Sequence, residues 1–249
     1  MHHFFVDPAQ VREDRILITG PDVNHMKNVL RIKPGVEVLI SDGSGKDYTC
    51  RVEALDPDQV EVMVLSVSEE GRELPSRIWL FQGLPKSDKM EIIIQKAVEL
   101  GAAGVVPVAT RNAVVKLDAK KEETKRKRWQ AIAESAAKQS KRSVMPVVER
   151  VMSLREAFSY IEERGFALRL IPYEHAEGME ATARTLKLVK PGQDIAVFIG
   201  PEGGFDESEI SLAMDMGVTP ISLGKRILRT ETAGPAVLAL LMMKLEGAF

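Results

Sequence analysis

The sequence contains few of the residues on which several classes of protein depend. Cys50 is the only cysteine, which excludes an intramolecular disulfide and a cluster of thiolate metal ligands. Aromatic residues make up 5% of the chain, and no apolar run is long enough to span a bilayer. The first residues also lack the basic and then apolar pattern of a secretory signal. We therefore expect a soluble cytoplasmic protein with no membrane segment and no bound metal.

Two common nucleotide-binding motifs are also missing. No G-x-x-x-x-G-K-[ST] loop occurs, and the turn that begins at Gly83 does not match the G-x-G-x-x-G fingerprint. These absences make ATP and nicotinamide cofactors less favoured. An NAD-dependent dehydrogenase stays an alternative, because it would also use a parallel sheet with glycine turns. Binding of labelled nicotinamide cofactor would support the dehydrogenase, and no binding would argue against it.

The hydrophobic pattern of the 249 residues changes near residue 72. Apolar and polar residues alternate between Phe4 and Val67, which predicts a small antiparallel barrel or a curved sheet. One helix interrupts it, predicted for Val23–Leu30 with Asp22 as its cap. The polar segment 68–76 predicts a linker. Beyond it, short apolar runs alternate with helical patterns, which predicts an α/β domain with a parallel sheet. The expected domains are 1–72 and 73–249.

Charge is distributed unevenly, although the formal net charge is only −2. Between Arg111 and Arg142 there are eleven Lys or Arg residues and four Asp or Glu residues. This basic stripe is typical either of a solvated helix with ion pairs one turn apart or of a polyanion-binding surface. Charge alone does not discriminate the two. Residues 1–72 contain eight basic and thirteen acidic residues, so any contact with a polyanion there has to be local.

Two glycine-bearing turns follow short apolar runs late in the chain. The first is Gly200-Pro-Glu-Gly-Gly-Phe205, and the second is Leu223-Gly-Lys-Arg-Ile-Leu-Arg229. In a parallel sheet such turns lie at the carboxyl ends of strands, where ligands bind. Bare glycine backbone allows a ligand to approach closely, and Glu202 suits a cationic or hydroxylic ligand. Each turn is also compatible with a plain strand-to-helix connection.

These turns, followed by Thr230-Glu-Thr-Ala233, resemble the RsmE family of SPOUT RNA methyltransferases. The resemblance extends over nearly the whole chain. It includes His3-Phe-Phe-Val6, His25-x-x-x-Val29-Leu-Arg31, Lys86-x-x-Lys89-Met-Glu, Gln95-Lys-x-x-Glu-Leu-Gly101 and Gln139-Ser-x-Arg142. It implies a homodimer with a PUA-like, RNA-binding N-terminal barrel and a C-terminal α/β methyltransferase domain with a deep trefoil knot. It also implies methyl transfer from S-adenosylmethionine to N3 of one uridine in bacterial 16S ribosomal RNA of the small subunit.

The resemblance further implies which residues form the site. The cofactor is expected on Leu170, Pro172, Ile199, Gly200, Pro201, Glu202, Gly203, Gly204, Leu223, Gly224, Ile227 and Leu228. RNA is expected on His25, Lys27, Arg31, Lys86, Arg111, Gln139, Arg142 and Arg226. Since uridine N3 must lose a proton, a cation and a base are needed. Arg142 and Arg229 are candidates for the cation and Glu231 for the base, although plain structural roles, such as a helix cap for Glu231, are also compatible.

Two further functions remain compatible with the sequence. A non-catalytic RNA-binding factor would share the barrel and the basic stripe, but it has no need for two late glycine turns. A methyltransferase that modifies the ribose 2′-oxygen is the nearest alternative among enzymes. Labelled S-adenosylmethionine with undermethylated small subunits separates an enzyme from a binding factor. Nucleoside mass spectrometry of the reacted RNA separates the two target atoms.

Overall fold

The computed structural model describes residues 1–248, which form two compact units. The first unit contains Met1–Glu73 together with Ala137–Met145. The second contains Leu74–Ala136 together with the chain from Pro146 onward. The first unit thus includes a second chain segment that lies beyond the predicted boundary at residue 72. Within the described residues, no helix has both the length and the apolar character needed to cross a membrane.

The first unit is built on a five-stranded sheet with the order β1-β3-β4-β5-β2. Its strands are β1 (His2–Phe5), β2 (Arg15–Thr19), β3 (Glu37–Ser41), β4 (Asp47–Leu55) and β5 (Gln59–Ser68). β1 pairs with β3 in parallel, and the other pairs are antiparallel. Tyr48, Cys50 and Val52 alternate along β4 and are buried in one core. The period of two therefore predicted this core correctly, and burial raises the pKa of the Cys50 thiol to about 12.

The helix predicted for Val23–Leu30 is shorter than expected and changes its winding. α1 covers Pro21–Asn24 and continues as a π-helical turn over His25–Val29. The Leu30 N–H donates to the His25 carbonyl, five residues earlier, which is the π spacing. Asp22 as the cap is wrong: Gly20 is the N-cap, and the Asp22 carboxylate pairs with Lys138.

The segment 137–145 is tied to the first unit by polar contacts. The Ser143 hydroxyl donates to the buried Asp47 carboxylate at 2.9 Å. The Glu73 carboxylate accepts from the Arg142 Nε and from the Ser143 N–H, each at 2.9 Å. Glu73 lies in the stretch that the sequence predicts to be a linker. Part of that stretch is therefore fixed by hydrogen bonds to residues about 70 positions later.

The second unit contains a seven-stranded sheet in which every pair is parallel, as predicted. The order is β12-β10-β11-β6-β7-β8, and β9 also pairs with β7. The strands are β6 (Arg77–Gly83), β7 (Ala102–Ala109), β8 (Val147–Val148), β9 (Met152–Ser153), β10 (Leu168–Pro172), β11 (Asp194–Ile199) and β12 (Thr219–Ile221). The α/β prediction is thus confirmed.

Six helices accompany this sheet. They are α2 (Lys89–Glu99), α3 (Ala119–Ser140), α4 (Leu154–Glu163), α5 (Met179–Leu186), α6 (Glu207–Asp215) and α7 (Thr230–Leu245). A buried cluster joins the sheet to α4 and α6, and the stacked rings of Phe81 and Phe198 lie at its centre, 4.6 Å apart. α2 and α7 pack against each other, and α7 also contacts β6 and β11. Asp206 and Glu209 form the predicted capping box of α6.

Three chain segments meet at Gln82, near the end of β6. The Gln82 amide donates to the Thr230 hydroxyl at 2.9 Å, and that hydroxyl donates to the Gly200 carbonyl at 2.6 Å. A Cβ on Gly83 would lie 2.6 Å from Pro201 Cδ, so only glycine fits this approach. The end of β6, the turn after β11 and the start of α7 are therefore locked together. The trefoil knot implied by the resemblance stays a prediction.

Candidate functional site

A cavity of about 660 Å³ opens beside the carboxyl ends of β10, β11 and β12. β6 and β11 are neighbours, but β6 connects onward to β7 and β11 to β12, which lie on opposite sides of the pair. In an open parallel sheet, such a change of direction creates the crevice in which ligands bind. The volume lies in the range of small-molecule sites, roughly 300–1,000 Å³.

The structure brings eleven of the twelve predicted cofactor-binding residues together around this cavity. They are Pro172, Ile199, Gly200, Pro201, Glu202, Gly203, Gly204, Leu223, Gly224, Ile227 and Leu228. Leu170 is the exception, because it lies inside β10, is fully buried and pairs with Val197 and Thr219 on the two neighbouring strands. Cofactor binding by these residues stays a prediction, but their convergence on one cavity is a structural fact.

Further residues line the cavity without having been predicted. They are Lys89, Tyr173, Glu174, Phe205, Ile210, Ser222, Lys225, Thr230 and Ala233. Most of them directly continue the predicted stretches and were omitted only because the predicted limits were too narrow. Lys89 is different, because it comes from the start of α2. Its signal was present in the Lys86-x-x-Lys89 motif, where it lies three residues after a predicted RNA-binding residue.

The first glycine turn, Gly200–Phe205, is held by hydrogen bonds on its outer side. The Gly204 N–H donates to the Pro201 carbonyl at 2.9 Å and closes the turn. The Asn112 amide donates to the carbonyls of Gly203 and Gly204 at 3.1 and 3.3 Å. Gly204 has a φ of 66°, in the left-handed region that favours glycine. Asn112, which no sequence motif indicated, therefore fixes the direction of two peptide groups of the turn.

Arg111 is attached to the helix that follows this turn. Its backbone N–H donates to the buried Glu209 carboxylate at 2.9 Å. Its guanidinium lies 3.4 Å from Asp206, the N-cap of α6. Hydrogen bonds from Ser208, with a contribution from Arg111, lower the pKa of Asp206. The connection after β7 thus supports the turn after β11, and Arg111, a predicted RNA-binding residue, lies in this support.

The second glycine turn, Leu223–Arg229, has fewer attachments. The Ser222 N–H donates to the Thr182 hydroxyl at 2.8 Å, and the Gly224 N–H donates to the Ser222 hydroxyl at 3.2 Å. Gly224 has a φ of 99°. Ile227 is 85% exposed although it borders the cavity. The turn is therefore anchored at its beginning and open at its tip.

An ammonium group lies between two carboxylates at the cavity wall. Lys89 Nζ is 3.1 Å from Glu202 Oε1 and 3.2 Å from Glu231 Oε2. The Lys86 N–H also donates to Glu202. The hydrogen bond of the Lys89 side chain to Glu202, supported by Glu231, raises the pKa of Lys89. Desolvation acts to raise the pKa of Glu202, but hydrogen bonds from its own backbone, Lys89 and Lys86 hold it below its usual value. The pKa of Glu231 is lowered by its own backbone N–H and by Lys89.

The three predicted catalytic residues lie in different places. Arg229 lines the cavity and is exposed. Glu231 is not among the lining residues, because it stands behind Lys89 in the first turn of α7. Arg142 belongs to the first unit, where it is 5% exposed and paired with Glu73. Arg229 therefore directly borders the cavity of its own chain, and catalytic roles for all three stay predictions.

The remaining predicted RNA-binding residues divide between the two units. Lys86 and Arg226 are exposed residues of the second unit, and Arg226 lines the cavity. His25, Lys27, Arg31 and Gln139 belong to the first unit. Lys27 is half-buried and donates to the Asp56 carbonyl at 2.7 Å, whereas Arg31 is exposed with a φ of 51°. RNA binding by any of them stays a prediction.

Much of the basic stripe is engaged in ion pairs on and around α3. Arg126 and Lys127 both pair with Glu123, one helical turn away. Arg128 pairs with Glu91 of α2. This pattern matches the solvated-helix interpretation for these residues. The pairs with Glu123 are exposed, so they contribute little to stability and do not exclude contact with phosphate.

Comparisons with known proteins agree with this architecture. A family described as RNA methyltransferase domain matches residues 72–242, and a family described as RNA methyltransferase PUA domain matches residues 18–65. The ribosomal RNA small subunit methyltransferase E of Bacillus subtilis (strain 168) is 35% identical over 239 residues, which is 94% of this chain and 93% of that protein. That of Synechocystis sp. is 32% identical over 98% of this chain and 78% of its own length.

Solved structures give the same result. The ribosomal RNA small subunit methyltransferase E of Neisseria gonorrhoeae, bound to S-adenosyl methionine, has a TM-score of 0.84 and 30% identity over 98% of this chain and 97% of its own. A methyltransferase of Legionella pneumophila, in complex with the same cofactor, has a TM-score of 0.81 and 31% identity over 96% of both chains. The chain therefore belongs to the RNA methyltransferase family, together with the ribosomal RNA small subunit methyltransferases E.

Proposed function

We propose that this protein transfers a methyl group from S-adenosylmethionine to N3 of one uridine in 16S ribosomal RNA of the small ribosomal subunit. The observation that carries the proposal is the cavity at the change of direction of the parallel sheet, with two glycine turns on its wall. The family supports it, because relatives similar over nearly the full chain carry the name ribosomal RNA small subunit methyltransferase E.

The residues of the cavity suit this cofactor. Glycine backbone in both turns permits close contact with an adenosine, and Leu223 and Leu228 supply apolar surface for a flat base. Glu202 supplies a negative charge on the same wall. When bound, S-adenosylmethionine supplies an electrophilic methyl group on a positively charged sulfur. The cavity thus combines apolar surface, main-chain hydrogen-bonding groups and two carboxylates, Glu174 and Glu202, for a cationic ligand.

The contribution of the protein to catalysis is then mainly alignment and charge. Holding the acceptor base in line with the methyl group can supply up to roughly 7–11 kcal/mol of the acceleration. Lys225, Arg226 and Arg229 are exposed at the rim and suit contacts with RNA phosphates. A base inside folded RNA has to be splayed out to enter the cavity. The first unit then holds the surrounding RNA through residues such as Lys27 and Arg31.

The proposal includes a homodimer that works in the cytoplasm, where ribosomal subunits are made. α2 and α7 pack together, yet Ile92 of α2 is 50% exposed and Met243 of α7 is 45% exposed. Apolar surface of this kind on two packed helices suits burial against a second copy. Light scattering after size-exclusion chromatography measures the mass directly. We expect a molar mass twice that of one chain. A molar mass equal to one chain at every protein concentration would contradict the homodimer.

The activity is tested on small subunits that lack the modification. The protein is incubated with them and labelled S-adenosylmethionine, and the digested RNA is examined by nucleoside mass spectrometry. We expect N3-methyluridine, at one position. Labelled 2′-O-methyluridine would instead indicate the ribose as the target, and RNA binding without any methyl transfer would indicate a non-catalytic factor. Gly203→Val is the negative control and should transfer no methyl group. Its added side chain points at Asn112 and disturbs the first glycine turn.

A further inference from the structure

Lys89 is the most confined of the cations on the cavity wall. It begins α2, its side chain is 29% exposed, and Glu202 and Glu231 fix its ammonium group from two sides. Lys225, Arg226 and Arg229 are all exposed, and within residues 1–248 none of the three has an ion-pair partner within 4.0 Å. A cation held in place beside a cavity stabilises charge better than a mobile one in water, because no reorganisation is needed.

The three charged groups form a unit built by three separate elements. Glu202 comes from the first glycine turn, Glu231 from α7 and Lys89 from α2. Two carboxylates share one ammonium group, so the unit has a formal charge of −1, and a stabilising contact with the substrate has to come from the third N–H donor of Lys89 rather than from the net charge of the unit. Oε2 of Glu231 is buried and makes no aligned hydrogen bond, although it lies 3.2 Å from Lys89 Nζ. Glu231 therefore acts as a counter-charge behind Lys89, and Lys89 is the group that faces the cavity.

We propose that Lys89 is a catalytic residue whose ammonium group contacts a carbonyl oxygen of the target uracil and stabilises the negative charge that forms when N3 loses its proton. This inference rests on the proposed function. The N3–H bond breaks and its proton passes to water. The electron pair left on N3 forms the new bond to the methyl carbon, and the pair of the broken sulfur–carbon bond stays on sulfur. Lys89 keeps its own protons throughout.

The role is consistent with the charge state of Lys89. Because Glu202 and Glu231 raise its pKa, the side chain is a cation at neutral pH and cannot act as the base. From the sequence, Arg142 and Arg229 are the candidates for the cation that stabilises the deprotonated base. Arg142 is buried against Glu73 in the first unit, and Arg229 is exposed at the rim. Lys89 is the fixed cation that borders the cavity.

The test uses an acceptor whose N3–H is more acidic. Small subunits are reconstituted with 16S RNA that contains either uridine or 5-fluorouridine, in which fluorine withdraws electrons from the ring. On uridine, Lys89→Met should lower kcat by roughly 100-fold, as the loss of one charge-stabilising donor does elsewhere. On 5-fluorouridine the loss should be on the order of tenfold smaller, because the base needs less help to lose its proton. A structural defect would affect both acceptors equally.

Matched variants separate charge from packing. Lys89→Arg keeps the charge and should retain activity within about tenfold of the wild type. Lys96→Met removes a lysine from the same helix. Lys96 does not line the cavity and lies 2.7 Å from Glu99, so its loss should change kcat on neither acceptor. Lys89→Met leaves two carboxylates without their shared cation. The kcat of the double variant Lys89→Met/Glu231→Gln is therefore measured as well, and thermal unfolding is measured for every variant.

Direct binding of S-adenosylmethionine by calorimetry completes the test. We expect the Kd of Lys89→Met to stay within about threefold of the wild type, a change below 1 kcal/mol. Lost cofactor binding with equal loss on both acceptors would overturn the proposal and place Lys89 in the cofactor site. Full activity of Lys89→Met on uridine would also overturn it. If the wild type itself transfers no methyl group to uridine, the proposed function fails instead.

Discussion

The two glycine turns border the same cavity but are held in different ways. The first, Gly200–Phe205, receives hydrogen bonds from Lys86, Asn112 and Thr230, which come from three other parts of the chain. The second, Leu223–Arg229, is anchored near its beginning through Ser222 and at its end by the Arg229 carbonyl, which accepts from the Thr232 and Ala233 N–H groups, but its tip is exposed. The first turn is therefore preorganised before any ligand arrives, whereas the second can adapt to one. Preorganisation reduces the cost of binding, and adaptability admits a large RNA.

The largest expected effect on cofactor binding comes from breaking the support of the first turn. Gly83→Ala would place a methyl group 2.6 Å from Pro201 Cδ and 2.7 Å from its backbone nitrogen. We expect a loss of about 3 kcal/mol in the free energy of unfolding, because backbone lies on both sides of the overlap. Binding of S-adenosylmethionine should be lost with it. Chemical denaturation and calorimetry measure the two effects, and an unchanged unfolding midpoint would show that β6 and the turn can separate freely.

A smaller effect is expected from Gly224→Ala in the second turn. Nothing lies within 4 Å of the added methyl group, so only the φ of 99° opposes it. Backbone strain of this kind costs about 1–3 kcal/mol, and here it should weaken cofactor binding. Gly192→Ala is the matched control, since Gly192 also has a positive φ and open space but lies away from the cavity. The control should lose stability without losing affinity for the cofactor, and equal affinity losses would contradict the comparison.

Asn112→Ala tests the outer support of the first turn alone. Two hydrogen bonds to the Gly203 and Gly204 carbonyls would be removed, each exposed and worth about 0.5–1.5 kcal/mol. We expect cofactor binding about tenfold weaker, with the fold retained. Asn112→Asp should lose at least as much affinity, because a carboxylate cannot donate to these carbonyls. If both variants bind the cofactor as the wild type does, the first turn does not depend on Asn112.

The smallest effect on stability is expected at the tip of the second turn. Ile227 is 85% exposed, so Ile227→Ala should leave the free energy of unfolding within about 0.5 kcal/mol of the wild type. Ile199→Ala, at 3% exposure on the same cavity, should cost about 2–5 kcal/mol. Thermal or chemical unfolding compares the two. A large loss at Ile227 would mean that the tip is packed in solution and that the second turn is as rigid as the first.

The sequence predicted the cavity better than it predicted the chemistry inside it. An apolar run followed by a glycine turn is a local signal, and it located both turns and the end of β11 correctly. Leu170 lies outside the cavity lining, because a pattern does not tell how far before the end of a strand the cavity begins, and cofactor binding by Leu170 stays a prediction. The cap of α1 was missed for a similar reason: Asp22 is a good capping residue, but Gly20, with its positive φ, begins the helix two residues earlier.

Long-range pairs are the part that the sequence does not reveal. Arg142 has a suitable charge and lies in a motif, yet its partner Glu73 is 69 residues away, and the pair buries Arg142 in the first unit. Lys89 and Glu202 are separated by more than 100 residues and become neighbours only because β6 and β11 are adjacent. Local patterns therefore indicate where charged residues occur, and the sheet order decides which of them meet.

The return of segment 137–145 to the first unit has a practical consequence for dissecting the molecule. Cleavage at the peptide bond after Glu73 would release an N-terminal fragment without Arg142 and Ser143. Asp47 and Glu73 would then lose hydrogen-bond donors from Ser143 and, for Glu73, the guanidinium of Arg142 as well. An N-terminal fragment that keeps these hydrogen bonds would require a graft that brings the nine returning residues with it.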